Sequence, residues 1–475
     1  MSDTWASPLS GRYASRAMLE LWSARTRHGL WRQLWLALAE SERELGASIP
    51  SEAIDQMREH LDDIDFDAVA AYERRFRHDV MAHVHAFGDV APAAKPFIHL
   101  GATSAYVTDN ADLILMRRGL EILDGRLLGV LRSLASFAEK WKNEPTLGYT
   151  HLQPAQLTTV GKRATLWMQD LVLDHRDVEY RRDTMPFRGV KGTTGTQATF
   201  LELFAGDHEK VRQLDRMVTA RMDFAESIPV SGQTYTRKID AGVLSVIAGI
   251  AASAAKFAGD IRMLQSYGEM EEPFEQEQIG SSAMAYKRNP MRSERINSLA
   301  RYVLSVEPNA NQTHSVQYFE RTLDDSANRR LVIPEAFLAT DAILLLMSNI
   351  VDGLEVHVPR IKQRVDAELP FMATEKILVE AVAAGGDRQE AHEVIRRHSI
   401  AAARAMKEGL AANDLLQRLA EDPSLGVTRD RLEIAADPSG YTGRAAEQVD
   451  DFLTEVIEPM LAGSHAIPAT EEIRV

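Results

Sequence analysis

Residues 280–290 read Gly280-Ser281-Ser282-Ala283-Met284-Ala285-Tyr286-Lys287-Arg288-Asn289-Pro290. Small residues give way to two cations and an amide, and a proline then enters a helical stretch. Two readings fit that order. One is a flexible surface loop ending at a helix start. The other is a mobile loop that places a hydroxyl, an ammonium and an amide around a carboxylate. His151 stands in Thr150-His151-Leu152-Gln153-Pro154, ahead of a long helical stretch. It fits a helix cap, and an imidazole also titrates where protonation of a departing nitrogen requires. A third concentration is Arg77-His78-Asp79-Val80-Met81-Ala82-His83-Val84-His85. On one helix, residues 78 and 85 share a face while 83 points away. That is not the i, i+4 pair of a zinc-binding helix, so no metal is expected there. The spacing of Gly189, Gly192 and Gly195 in segment 186–197 lacks the Gly-Lys-Ser/Thr of a phosphate loop and reads as cavity wall.

Positioning such groups falls to helices. Within residues 109–141, Met116, Leu120, Leu123, Leu127, Leu131, Leu134, Ala138 and Trp141 recur in steps of three and four. Residues 230–272 contain no proline and repeat the pattern with Ile239, Val243, Val246, Ile250, Ala254, Phe257, Ile261 and Leu264. Further helical stretches fall at 155–183, 291–306 and 331–354. Five long helices imply a central bundle. Shorter helical patterns, such as 23–45 and 67–87, precede it, and Gly385-Gly386 and Pro438-Ser439-Gly440 break up another set after it. No alternating strand run, internal repeat or low-complexity segment is evident. The expectation is an all-α chain of three helical domains: 1–103, 104–356 and 357–475.

Composition narrows the function. The chain has 475 residues, 45% hydrophobic and 26% charged, the balance of a soluble protein. It has no cysteine, which excludes disulfides, Cys-type zinc sites, iron–sulfur clusters and a thiol nucleophile. Met1-Ser2-Asp3-Thr4-Trp5 shows no secretory signal. The longest uncharged apolar stretch, between Asp240 and Lys256, is short of the ~20 residues of a membrane span. A cytoplasmic protein without membrane or nucleic-acid partners is expected. The net charge of −15 agrees. It also means that an anionic substrate needs a local cation cluster.

The 280–290 segment resembles the signature of the fumarase/aspartase superfamily. Met291-Arg292-Ser293-Glu294-Arg295 narrows the resemblance to the adenylosuccinate lyase family. Four further blocks agree in the same order: the Arg77–His85 run, Leu100-Gly101-Ala102-Thr103-Ser104, Thr150-His151-Leu152-Gln153-Pro154-Ala155-Gln156, and Glu320-Arg321-Thr322-Leu323-Asp324-Asp325-Ser326-Ala327-Asn328-Arg329-Arg330. The likeness runs from Arg12-Tyr13 to Pro370-Phe371-Met372-Ala373-Thr374-Glu375, and more weakly beyond. Ala285 departs from the proline usual in the family.

The resemblance implies β-elimination with release of fumarate, from adenylosuccinate and from the succinyl-carboxamide ribotide of purine synthesis. It implies Ser281 as base and His151 as general acid. A serine serves as base only with its alkoxide stabilised, by Lys287 and by backbone N–H groups. Lys287 and Asn289 would hold the succinyl carboxylate, with Gly280 as hinge. Arg77, His78, Asp79, Thr103, Ser104 and Gln233 would line the substrate pocket. Arg12, Tyr13, Arg295, Arg321, Ser326 and Arg330 would contact the nucleotide and its phosphate, where guanidinium forks fit. Taken alone, Thr103, Ser104 and Gln233 read as caps and loop polar groups. Arg321, Arg329 and Arg330 alone read as a solvated face paired with Asp324 and Asp325. No metal or organic cofactor is implied. The family is homotetrameric, with sites shared between chains. His151 and Ser281, at the ends of different long helices, are expected to come from different chains. The alternatives are another fumarate-releasing lyase, acting on argininosuccinate, aspartate or malate, and a non-catalytic helical scaffold.

Overall fold

The computed structural model describes residues 4–275, 277–410 and 412–462. Five helices lead in: α1 (Arg16–Leu21), α2 (Ala24–Glu44), α3 (Ser51–Glu59), α4 (Phe66–Phe76) and α5 (Asp79–Val90). Then come α6 (Ser104–Trp141), a hairpin of β1 (Pro145–Thr150) and β2 (Gln153–Thr159), α7 (Val160–Asp183), α8 (Ala198–Leu203), α9 (His208–Arg221) and α10 (Lys238–Tyr267). The chain continues through β3 (Met270–Glu271), α11 (Met291–Val306), α12 (Pro308–Ser315), α13 (Asp325–Asp352) and β4 (Glu355–Val356). It closes with α14 (Val358–Met372), α15 (Thr374–Ala383), α16 (Arg388–Lys407), α17 (Leu415–Glu421), α18 (Arg429–Ala435), α19 (Ala445–Phe452) and α20 (Glu458–Leu461). Among the described residues the chain is all-α, apart from two small two-stranded sheets.

The five helices expected to form the bundle are α6, α7, α10, α11 and α13. The apolar ladder of α6, from Leu113 through Leu134 to Ala138, is fully buried. Thr159 starts α7, its side chain accepting the Lys162 N–H at 3.1 Å. Gly268, at φ 71°, ends α10 in the left-handed conformation a glycine tolerates best. Helices α7 and α10 run antiparallel: Trp167 Nε1 donates to Asp260 Oδ2 at 2.7 Å, and Lys256 meets Asp170 at 2.8 Å. Helices α10 and α13 are long and apolar enough to cross a bilayer, yet half and 72% of their most apolar windows are buried within the protein. They are the bundle's core.

One apolar core runs from Leu9 through the bundle to Leu369 and takes in Val449, Leu453 and Ile457 of the last turns. A second, smaller core joins Ala373, Ile377, Ile395, Leu415, Leu419 and Leu432 of α15–α18. Helix α19 therefore returns to the main body.

Three local expectations need correction. The stretch 155–183 is not helical at its start, because residues 153–159 pair with 145–150 as the β2–β1 ribbon. The stretch 67–87 is two helices: Arg77 takes φ 56°, ends α4, and leaves His78 as the N-cap of α5. Helix α13 begins at Asp325 rather than 331 and runs through Pro334.

Candidate active site

The breaks between helices build a cavity of about 1200 Å³ at the N-terminal ends of α6, α10 and α13. It is lined by Arg77, His78, Asp79, Thr103, Ser104, Gln233, Arg321, Ser326 and Arg330, nine of the residues singled out from sequence. Thr103 sits at the N-cap position of α6, but its side chain makes no capping bond. Ser104 Oγ lies 3.4 Å from His78 Nε2. Both hydroxyls therefore face the cavity rather than serve the helix. His78 Nδ1 accepts the Met81 N–H at 3.3 Å, which closes the N-terminus of α5.

The cavity floor is a buried ion network. Arg237 binds Asp109 at 3.1 Å and Asp325 at 2.7 Å. Arg329 binds Asp240 at 2.6 Å and Asp112 at 3.1 Å, and Arg27 also pairs with Asp112. Tyr235 donates to Asp240 Oδ1 at 2.6 Å. Arg329 is thus no solvated cation paired with Asp324 or Asp325. It pins α13 to α10 and α6. Breaking one such buried pair costs about 3–5 kcal/mol, because the partner charge is stranded.

Six arginines and six carboxylates line the cavity, so the expected surplus of local positive charge is absent by number. What distinguishes it is availability. Arg321 reaches its nearest acid, Asp325, only at 4.0 Å. Arg330 is largely exposed and holds Asp79 at 2.6 Å. Burial alone would raise the Asp79 carboxyl, but Arg330 and the Val80 N–H hold it below the usual range.

One wall is aromatic. His28 and His83 lie with ring centroids 3.9 Å apart, beside Trp31. Burial first, then the neighbouring His83 and Arg27, push His28 down to about 3; burial and Arg32 push His83 down to about 4. Both rings are neutral near pH 7. His85 instead stacks on Tyr72 and Phe76. The three histidines of the 77–85 run thus have separate surroundings. Among the described residues, the group with metal-ligand spacing is Glu271, Glu355 and His357, and Arg288 already pairs with both of its glutamates.

The remaining singled-out residues lie outside the cavity lining. The Arg295 guanidinium sits 5.9 Å from the Tyr13 ring centroid, with Arg12 exposed nearby in sequence. His151 occupies a two-residue hairpin loop: Thr150 pairs with Gln153, and His151 and Leu152 take φ 55° and 58°. Such loops need two positive φ values and are normally Asn-Gly or Asp-Gly. Here two side-chained residues carry them, a local strain of the kind found at functional sites. Ser281 Oγ accepts the Ala283 and Met284 N–H groups at 3.3 and 3.2 Å. That is half of the expected alkoxide stabilisation; no bond from Lys287 to Ser281 occurs among the described residues. Asn289 Nδ2 donates to Gly280 O at 2.7 Å and closes the loop. Gly280 keeps an ordinary φ. A Cβ there would lie 2.1 Å from the Lys287 carbonyl, so close approach, not hinging, requires glycine.

His151 and Ser281 follow the ends of different long helices, α6 and α10, and both ends lie on one side of the bundle. Tyr149 packs on Tyr267 at 5.6 Å and its hydroxyl lies 3.3 Å from Glu269 Oε1. The serine loop leaves from that same end of α10 and is tied there by Arg288 to Glu271 at 3.1 Å. Both segments lie at one end of the bundle, and the cavity lies at the other. Sequence reasoning also passed over Arg27, His28, Trp31, Asp109, Asp112 and Arg237. Only Arg237, close after Gln233 and before a long helix, carried any local signal.

This bundle, with polar sites at both ends, defines an all-helical lyase of the fumarase/aspartase type. A family model described as Lyase matches residues 3–305, and one described as Adenylosuccinate lyase C-terminus matches residues 370–452. The adenylosuccinate lyase of Schizosaccharomyces pombe is 49% identical over 473 residues, 99% of this chain and 98% of that one. That of Saccharomyces cerevisiae is 51% identical over 462 residues, 97% of this chain and 96% of that one. The chain belongs to the adenylosuccinate lyase family. A 3-carboxy-cis,cis-muconate lactonizing enzyme from Pseudomonas putida shares the fold, with TM-score 0.82 and 22% identity over 96% of this chain and 99% of that one.

Proposed function

We propose that the chain is a carbon–nitrogen lyase that releases fumarate from adenylosuccinate, giving AMP, and from the succinyl-carboxamide ribotide (SAICAR), giving AICAR. One observation carries this reading. A chain 49% identical to an adenylosuccinate lyase almost end to end carries a serine loop, a histidine turn and an arginine-lined cavity.

Ser281 takes the proton from the carbon beside a succinyl carboxylate, and the Ala283 and Met284 N–H groups stabilise its alkoxide. Lys287 and Asn289 face the carboxylate as negative charge builds on it. The electron pair expels the nitrogen, which His151 protonates. Arg77, His78, Asp79, Thr103, Ser104 and Gln233 line the substrate pocket, and Arg321, Ser326 and Arg330 take the phosphate. Arg12, Tyr13 and Arg295 complete the nucleotide contacts. The reaction as written needs no metal or organic cofactor.

The working form is a cytoplasmic homotetramer whose sites combine residues of several chains. Two features support this. The cavity and the Ser281 and His151 segments lie at opposite ends of one chain's bundle. Helix α7 also exposes Leu166 (51%), Leu173 (51%) and Tyr180 (65%) at heptad spacing, a seam suited to a second copy. An absorbance assay tests the activity: loss of adenylosuccinate should match fumarate formed, mole for mole. Turnover of argininosuccinate or aspartate instead would overturn it.

A further inference from the structure

The cavity's guanidiniums differ in what holds them. Arg237 and Arg329 are buried and locked to Asp109, Asp325, Asp240 and Asp112. Arg330 is not: its side chain is 61% exposed, and its contact is with Asp79 Oδ2 at 2.6 Å. Asp79 has a second neighbour. Its Oδ1 accepts the Val80 N–H at 2.8 Å and lies 3.7 Å from His78 Nδ1. That nitrogen is meanwhile occupied by the Met81 N–H at 3.3 Å, so the ring's other nitrogen faces Ser104. Asp79 stands between an arginine suited to phosphate and a histidine, and it serves the arginine.

A phosphate dianion competes well for that arginine. It carries more charge than a carboxylate and offers a bidentate face to a guanidinium. An exposed ion pair resists such exchange only weakly, by a few-fold. We propose that Asp79 is a positioning residue that changes partner when substrate binds: the phosphate takes Arg330, and the released carboxylate accepts a hydrogen bond from His78 Nδ1–H, the ring giving up the Met81 N–H and holding the tautomer protonated at Nδ1, so that Nε2 faces the cavity as an acceptor. The phosphate then contributes to turnover as well as to binding, although it lies away from the bond that breaks. The inference rests on the phosphate reading of Arg330 given above.

The test compares wild type, Arg330→Leu, Asp79→Asn and the double variant on adenylosuccinate and on its dephosphorylated nucleoside. Arg330→Leu should raise KM for adenylosuccinate, yet cleave the nucleoside about threefold faster than wild type, because Asp79 is already released. Asp79→Asn should lower kcat on adenylosuccinate with KM within about twofold. In that background Arg330→Leu should no longer speed nucleoside cleavage. A residue of purely structural importance would not give the first, opposite-signed effect. Circular dichroism melting checks that each variant folds. Arg330→Leu cleaving the nucleoside no faster than wild type, undetectable turnover included, overturns the partner exchange. An unchanged KM for adenylosuccinate in Arg330→Leu overturns the phosphate site itself, and no cleavage of adenylosuccinate by wild type overturns the proposed function.

Discussion

The separation of the cavity from the serine loop has a measurable consequence. Arg237, in the cavity floor, precedes α10, and the serine loop follows it. Thirty residues of helix at 1.5 Å each put about 45 Å between them. No nucleotide spans that distance, while base and substrate must come within hydrogen-bond reach. On the proposed function, a cavity is therefore expected to be completed by the serine loop of another chain. His78→Ala and Ser281→Ala are each expected to be nearly inactive alone. Unfolding them together, mixing equal amounts and refolding should restore fumarate production. With random assembly, half of the cavities are intact and half of the partnering loops are intact, so roughly a quarter of the sites are wild type in both. Activity should approach ~25% of wild type in the absorbance assay. Native mass spectrometry verifies that mixed oligomers form. Mixed oligomers with activity no higher than the parents would show that one chain supplies both parts, and the helix-length argument would fail.

Ser281→Ala should lower kcat by about 10²–10⁴ with little change in KM, as loss of a general base does, and steady-state kinetics with a substrate-binding assay separates the two. Arg321→Leu should raise KM for both phosphorylated substrates by roughly tenfold or more, the value of a charge-assisted hydrogen bond; an unchanged KM would misplace the phosphate. The His28 and His83 rings, held neutral with pKa values of about 3 and 4, stabilise the fold fully above the ordinary imidazole value near 6.5. That stability is lost as pH falls through 6.5 toward 4, by up to about 1.4 kcal/mol per pH unit per ring. His28→Phe should keep the stack and flatten the fall of Tm between pH 6.5 and 4; an unaltered slope would count against it. Ala285→Pro should raise Tm slightly and keep activity. Ala285 is the second residue of a turn closed by Lys287 N–H to Met284 O at 3.0 Å, where proline fits and stiffens the unfolded chain by about 0.4–1 kcal/mol. A loss of activity would mean that the loop must flex there.

The bundle was legible because its helices are long and each buries a face with period near 3.6. Helix α11 matches the expected 291–306 at both ends. The β1–β2 ribbon was not legible. Its residues 153–159, Gln-Pro-Ala-Gln-Leu-Thr-Thr, do not alternate cleanly, and only Leu157 and Thr159 are buried. Its turn lacks Asn-Gly, the usual local sign of a hairpin. The ribbon forms because Tyr149 is received by Tyr267 and Arg364 and Leu147 is buried, contacts more than 100 residues away that no local window contains.

Nine residues of the cavity lining were singled out from sequence, but the charge arrangement around them was misread, for an electrostatic reason. A net charge of −15 suggested a cluster of free cations, and the arginines of 320–330 were the natural supply. Yet a guanidinium carried into a packed interior must take its counter-charge with it. Arg237 and Arg329 do so, consuming Asp109 and Asp112 of α6, Asp240 of α10 and Asp325 of α13, three separate stretches of chain. Counting charges in sequence cannot separate these structural arginines from their neighbours. Burial can. Arg329 points inward and fixes α13, while Arg330, one residue on and about 100° around the helix, points outward, held among the described residues by Asp79. The buried arginine fixes the helix on which the exposed one is displayed, so each guanidinium left for substrate depends on another that is fully committed to the fold.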